Sequence, residues 1–305
     1  MDVRSDFIIG AEQIYRPKYN IGPFSNFGEK TRQIGGNFEV FFDSQFPGKK
    51  ICLTRSGKQA IGLALGQLNL DKNDCISIIT TSGNRYISGC VTSEIEKHCR
   101  WSMEIEDNTK VLFVNHEFGF PFEELKALQA QYNFTIIEDV AHGLYSQNPE
   151  KSVGKVGDFV ICSFPKIFPL QIGGALLYID RYNIQSDLTR AEIQYLNDSL
   201  LGSCLSKEVI LKKRQSNYKY LEKALGLLGA KSFFKMTDVI NPGVYIFTFV
   251  GFKQYDKLKV FMQANGVESS VFYGEDAFFI PVHQNLEKAD LDYFVTLIKY
   301  FIKER

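Results

Sequence analysis

The chain has 305 residues, 45% hydrophobic and 23% charged, with Lys plus Arg and Asp plus Glu equal at 35 each. That length suits one large or two moderate domains with a full core, and zero net charge without like-charge runs argues against a nucleic-acid partner. No stretch reaches the roughly 18 apolar residues of a spanning helix, which argues against a membrane partner, and MDVRSDFIIGAEQ lacks the basic start and long apolar core of a signal peptide.

Residues 1–45 are rich in Gly, Tyr, Phe and Asn, show no sustained period, and read as an arm packed on the body or on a partner subunit. From Lys50 the chain alternates strand and helix. ICLTR (51–55) is a strand, and Ser56 caps a helix whose apolar face is Ala60, Leu63, Ala64 and Leu68. CISIIT (75–80) is the next strand, and a Ser-Gly-Asn turn leads into a helix ending near Lys97. KVLFVNH is strand, PFEELKALQAQY helix, and FTIIEDV and FVICSF strands. This spacing implies βαβ units and a mostly parallel sheet covered on both faces. GGALLYID follows too closely for a crossover and is expected to pair antiparallel. Beyond Arg181 a mainly helical section reaches about Gly229, with KEVILKKRQSNYKYLEKAL as one amphipathic helix. A smaller α+β unit follows: strands VYIFTFVGF, VESSVFY and AFFIPV, a helix closed by Gly266, and a helix from Leu286. The expected division is an arm (1–45), a large α/β domain (46–185), and linking helices with a small α+β domain (186–305). The six cysteines (Cys52, Cys75, Cys90, Cys99, Cys162 and Cys204) sit singly in apolar segments without CxxC. They read as reduced core residues of a cytoplasmic protein.

The strand ends carry the chemistry, because loops at the C-terminal edge of a parallel sheet form its ligand crevice. Ser56, Gly57 and Lys58 open a helix and offer an anion site, although the Walker spacing is absent and a bare N-cap is the plainer reading of Ser56 alone. Tyr86 could stack on a ring or pack in the core. Glu138 and Asp139 close an apolar strand, where at least one calls for a cationic partner. Lys166, between Pro165 and Ile167-Phe168-Pro169, is flanked by residues that favour burial, which lowers an amine's pKa and suits imine chemistry. A zinc site from His116, His142 and Asp139 lacks HxH or HExxH spacing, and a hydrolase lacks the GxSxG elbow. Lys166 and Asp139 could also form a buried ion pair without chemistry.

The succession SGKQAIGLAL, VNHEFGFP, IIEDVAHGL, VGKVGDFVICSFPKIFPLQIGGALL, KKRQSNYKYLEKAL and IPVHQNLEKADLDYFVTLI resembles the DegT/DnrJ-type sugar aminotransferases, over roughly residues 45–305. The resemblance implies pyridoxal 5′-phosphate as cofactor and its fold type I: a mostly parallel seven-stranded sheet sandwiched by helices, with a smaller C-terminal α+β domain. It assigns Lys166 to the Schiff base with the cofactor and Asp139 to the pyridinium nitrogen. Ser56, Gly57, Lys58 and Ser163 fall to the phosphate, His142 to the phenolic oxygen and Tyr86 to the ring face. It further implies a homodimer acting on small molecules. Between Gln215 and Glu304 there is no arginine, whereas aminotransferases of this fold that act on amino acids grip the α-carboxylate with an arginine fork. That favours a keto-sugar acceptor, with glutamate as the family's usual donor. Lys166 argues against the dehydratase variant, which replaces that lysine. The chain is short for the family, omits a loop between GVESSVFY and AFFIPV, and lacks a recognisable GxNxR-like segment, so a degenerate member that binds cofactor or a partner without turnover is the alternative.

Overall fold

A computed structural model describes residues 17–23 and 38–303. In chain order the elements are α1 (Glu39–Gln45), β1 (Lys50–Thr54), α2 (Gly57–Gly66), β2 (Cys75–Thr80), α3 (Gly89–Ile95), β3 (Arg100–Ser102), β4 (Thr109–Asn115), α4 (Leu125–Gln131), β5 (Thr135–Asp139), β6 (Phe159–Ser163) and β7 (Gly174–Tyr178). There follow α5 (Arg190–Leu205), α6 (Lys207–Gly226), β8 (Ala230–Ser232), β9 (Val244–Phe249), α7 (Tyr255–Ala264), β10 (Ser270–Phe272), β11 (Ala277–Pro281) and α8 (Lys288–Lys303).

The first seven strands form one sheet in the order β1-β7-β6-β5-β4-β2-β3. Neighbours from β6 to β3 are parallel, and β7 runs antiparallel to both β1 and β6. The expected seven-stranded, mostly parallel sheet is therefore present, and β1 points the same way as β6. Strands buried on both faces read as continuous apolar runs, as CISIIT does with only Ile79 partly exposed. The remaining strands make an antiparallel sheet, β10-β11-β9-β8, packed on α6, α7 and α8.

Four expectations need correction. A helix, α1, forms inside the region read as lacking period, because Phe38, Phe42 and Phe46 bury one face in the larger core. The buried face of α2 is Ala60, Ile61, Ala64 and Leu65, while Leu63 and Leu68 are only partly covered. The helix after β2 starts at Gly89, and the stretch before it is shaped by the Asn84 side chain, which accepts the Tyr86 N–H. Of the six cysteines, Cys90 is exposed and the other five are buried. The arm lies largely outside the described residues. Residues 17–23 pack on the smaller sheet's layer, where Tyr19 bridges Val267 and meets Phe294 edge-on at 5.1 Å.

His283, just past β11, gives this region a pH dependence. Its Nδ1 accepts the Asn285 N–H at 3.3 Å, and burial, with Arg214 nearby, pushes the imidazole down from 6.5 to about 3. An unfolded chain takes up this proton near the ordinary histidine value, whereas the folded one refuses it until much lower pH. The contribution is thus complete above pH 6.5 and is lost as pH falls towards 3, by about 1.4 kcal/mol per unit. Urea denaturation between pH 7 and 4 should show this slope, flattened in His283→Gln.

Candidate active site

Thr54, Thr80, Asn115, Asp139 and Ser163 end their strands at one edge of the larger sheet. Because β7 runs the other way, its first residue, Gly174, reaches the same edge, paired with both Thr54 and Ser163. A side chain there would put Cβ 2.7 Å from the Cys162 carbonyl oxygen and 2.7 Å from the Ser56 backbone. Only glycine lets the start of α2 sit this close to the sheet.

That start is built by local bonds. Ser56 is extended, its Oγ accepts the Gln59 N–H, and its carbonyl accepts the Thr54 hydroxyl at 2.9 Å. The N–H groups of Gly57 and Lys58 precede the first N–H that bonds within the helix, that of Ala60 to the Ser56 carbonyl, and are left for an anion on the positive end of a ten-residue helix. Ser163 lies beside them, with its Cβ 3.2 Å from where a Gly57 side chain would begin. The Lys58 ammonium turns away to Glu94 at 3.4 Å, which leaves its backbone N–H facing this end of the helix.

Lys166 ends a single 3-10 turn, Phe164–Lys166. The turn is fixed by the fully buried Phe164, Ile167 and Phe168 and by the Phe164 N–H, which donates to the Gly173 carbonyl at 3.1 Å. Burial pushes the Lys166 amine below its ordinary value, and the facing charge of Asp139 opposes that shift. Asp139 is itself raised by burial and held back by Lys166 and by the Ala141 N–H, which donates to its Oδ1 at 2.8 Å. Each feels the other's charge, and no side-chain bond within ion-pair distance joins them among the described residues. His142 joins them. Its Nδ1 is buried without a partner, and burial together with Lys166 and Arg214 keeps the ring neutral. Phe118, in the left-handed region at φ 51°, lays its ring 5.1 Å from this imidazole.

The structure thus gathers Ser56, Gly57, Lys58 and Ser163 at a helix start, and Asp139, His142 and Lys166 beside it. Tyr86 is not among them: it is 58% exposed and its ring meets Tyr273 at 5.1 Å. Asn84 explains this, since its side chain accepts the Tyr86 N–H and donates to the Tyr273 carbonyl, turning the segment onto the smaller sheet. Cys90, four residues on and not singled out from sequence, is the residue of this segment whose charge Lys166 feels. His116 is also elsewhere. Its Nδ1 accepts the Phe122 N–H at 3.0 Å, which leaves the proton on Nε2 to donate to Glu138 at 3.1 Å. Both nitrogens that a metal would need are therefore engaged.

These residues fit pyridoxal phosphate. An amine pushed below its ordinary value by burial, a carboxylate that feels its charge, an orphaned imidazole nitrogen and a free helix N-terminus match an aldehyde, a ring nitrogen, a phenolic oxygen and a phosphate.

The model of the DegT/DnrJ/EryC1/StrS aminotransferase family matches residues 99–183. No curated protein matches the chain. Among solved structures, the aminotransferase TlmJ from Streptoalloteichus hindustanus superposes with a TM-score of 0.71 at 13% identity, covering 89% of this chain and 93% of its own. Spr1654 from Streptococcus pneumoniae in its PLP-form gives 0.68 at 14% identity, covering 96% and 99%. A DegT DnrJ EryC1 StrS aminotransferase from Brucella abortus gives 0.65 at 14%, covering 88% and 91%. The family resemblance read from the motifs and the expected fold type are both shown by these matches.

Proposed function

We propose that this DegT/DnrJ/EryC1/StrS-type aminotransferase, which works with pyridoxal 5′-phosphate, moves an amino group from glutamate to a keto-sugar, nucleotide-linked, in cell-surface polysaccharide or secondary-metabolite biosynthesis. The family match spans the segment that holds both Asp139 and Lys166. The observation that carries the reading is that Lys166 and Asp139 lie close enough to feel each other's charge, at the same sheet edge as the start of α2. The acceptor class rests on residues 216–303, which contain no arginine to clamp an α-carboxylate. We further propose that the enzyme acts as a homodimer in the cytoplasm.

When bound, the cofactor supplies an electron sink and holds the amino group between donor and acceptor. Gly57 and Lys58, through backbone N–H groups, and the Ser56 and Ser163 hydroxyls would hold its phosphate. Asp139, whose rise on burial is opposed by the Ala141 N–H and by the Lys166 charge, would keep a proton at the ring nitrogen. His142 Nδ1 has a buried lone pair or proton to spend on the phenolic oxygen. The Lys166 amine, disfavoured as an ammonium by burial, would bond the cofactor at rest and move a proton as a base during turnover.

The test follows the visible absorbance of the cofactor-loaded protein. Glutamate should convert it to the colourless amine form, and a keto-sugar nucleotide should restore it. Conversion by glutamate that only α-keto acids reverse would overturn the acceptor class. Persistence of the band with every amino donor would favour a cofactor binder without turnover.

A further inference from the structure

Arg214 lies on the inward face of α6, in step with Ile210, Tyr218, Leu221 and Leu225, and is fully buried. A guanidinium at that depth normally faces a carboxylate, but this one faces only neutral acceptors. Its Nε donates to the Gln284 side-chain oxygen at 2.9 Å, and one terminal nitrogen donates to the Pro242 carbonyl at 3.2 Å. The other donates to the carbonyl of Lys166 at 2.8 Å and, more weakly, to that of Ile167 at 3.5 Å. Gln284 closes the ring by donating to the Ile167 carbonyl at 2.8 Å. A single planar fork thus joins the lysine's own peptide to the entry into β9 and the exit from β11, an arrangement whose geometry a lysine lacks. The four bonds recover part of a large desolvation cost that an apolar residue would avoid altogether, so core stability alone does not call for arginine here.

We infer that Arg214 is a positioning residue for Lys166: gripping the main chain at Lys166 and Ile167, it fixes where the lysine amine stands relative to Asp139 and ties that position to the smaller sheet. The inference rests on the reading of Lys166 as the cofactor-bonding residue, but its test needs no turnover.

In cofactor-free protein, Lys166 is faced by Asp139 at the end of β5 and Cys90 on α3, with His142 in the loop after β5. Its reactivity towards cyanate, mapped by peptide mass spectrometry across pH, reports how buried and how placed the amine is. For Arg214→Met the midpoint should rise towards the ordinary lysine value of 10.5, and capture of pyridoxal phosphate should slow about 10- to 100-fold. Arg214→Lys should behave like Arg214→Met. Gln284→Leu, which removes one bond to each of Arg214 and Ile167, should shift both readouts in the same direction by less, and it decides the matter if Arg214→Met does not fold. Folded variants that melt earlier yet keep the wild-type midpoint and capture rate would reduce Arg214 to a structural bolt and overturn the inference. A wild-type protein that captures no pyridoxal phosphate, alongside a shifted cyanate midpoint in Arg214→Met, would refute the cofactor reading while upholding the positioning role.

Discussion

Lys166→Ala is expected to give a folded protein that borohydride no longer links to pyridoxal phosphate, with amino transfer reduced at least about 100- to 10,000-fold. Mass spectrometry of the reduced protein and single-turnover kinetics with glutamate check the two parts. Stability should move little or rise. Burial penalises the Lys166 ammonium, so the folded state carries a cost below the lysine's folded pKa that alanine removes. That combination, activity lost and stability kept, is what a strained functional group gives and a core residue does not.

The adjacent carboxylates should separate in the same manner. Glu138 is fully buried and accepts N–H bonds from Gly154 at 2.7 Å, Val156 at 3.1 Å and Gly157 at 2.6 Å, besides the His116 imidazole. It also faces the buried Lys49, whose ammonium it helps to retain against desolvation. Glu138→Ala would orphan these donors together, and urea denaturation should show a loss of about 3–5 kcal/mol. One residue on, Asp139 accepts a single backbone N–H and faces Lys166. On the proposed role, Asp139→Asn should therefore melt close to wild type while losing amino transfer, since an amide would not keep the ring nitrogen protonated.

What could be read from the sequence follows the range of the forces involved. The alternation of strands and helices, the cap at Ser56 and the apolar turn around Lys166 are set by neighbours a few residues away, and they stand in the structure as read. Of the three-residue strands, β3 and β8 carry little apolar pattern and exist through pairing with β2 and β9, so no local signal marks them. The division of labour between Glu138 and Asp139 depended on which face of β5 meets the loop at residues 154–157, a tertiary fact. The position of Tyr86 is tertiary too, because Asn84 turns its segment by bonding to the Tyr273 carbonyl. Arg214 could have been found: it occupies a core position of an otherwise apolar helical stripe, where a charge needs explaining.

The reversed strand β7 also bears on how the lysine's surroundings come together. Strands β6 and β7 are partners in one hairpin, with Phe159 opposite Tyr178 and Ser163 opposite Gly174, and Lys166 lies in the intervening loop. Closing so short a loop forfeits little chain entropy compared with a crossover, so the lysine, its turn and the Gly174 seat for α2 can assemble from one contiguous stretch. Asp139 and Arg214 then arrive from 27 residues before and 48 residues after the lysine in the chain. A low-entropy hairpin thus acts as the template on which the long-range partners register, and sequence changes that lengthen this loop would tax the search for both.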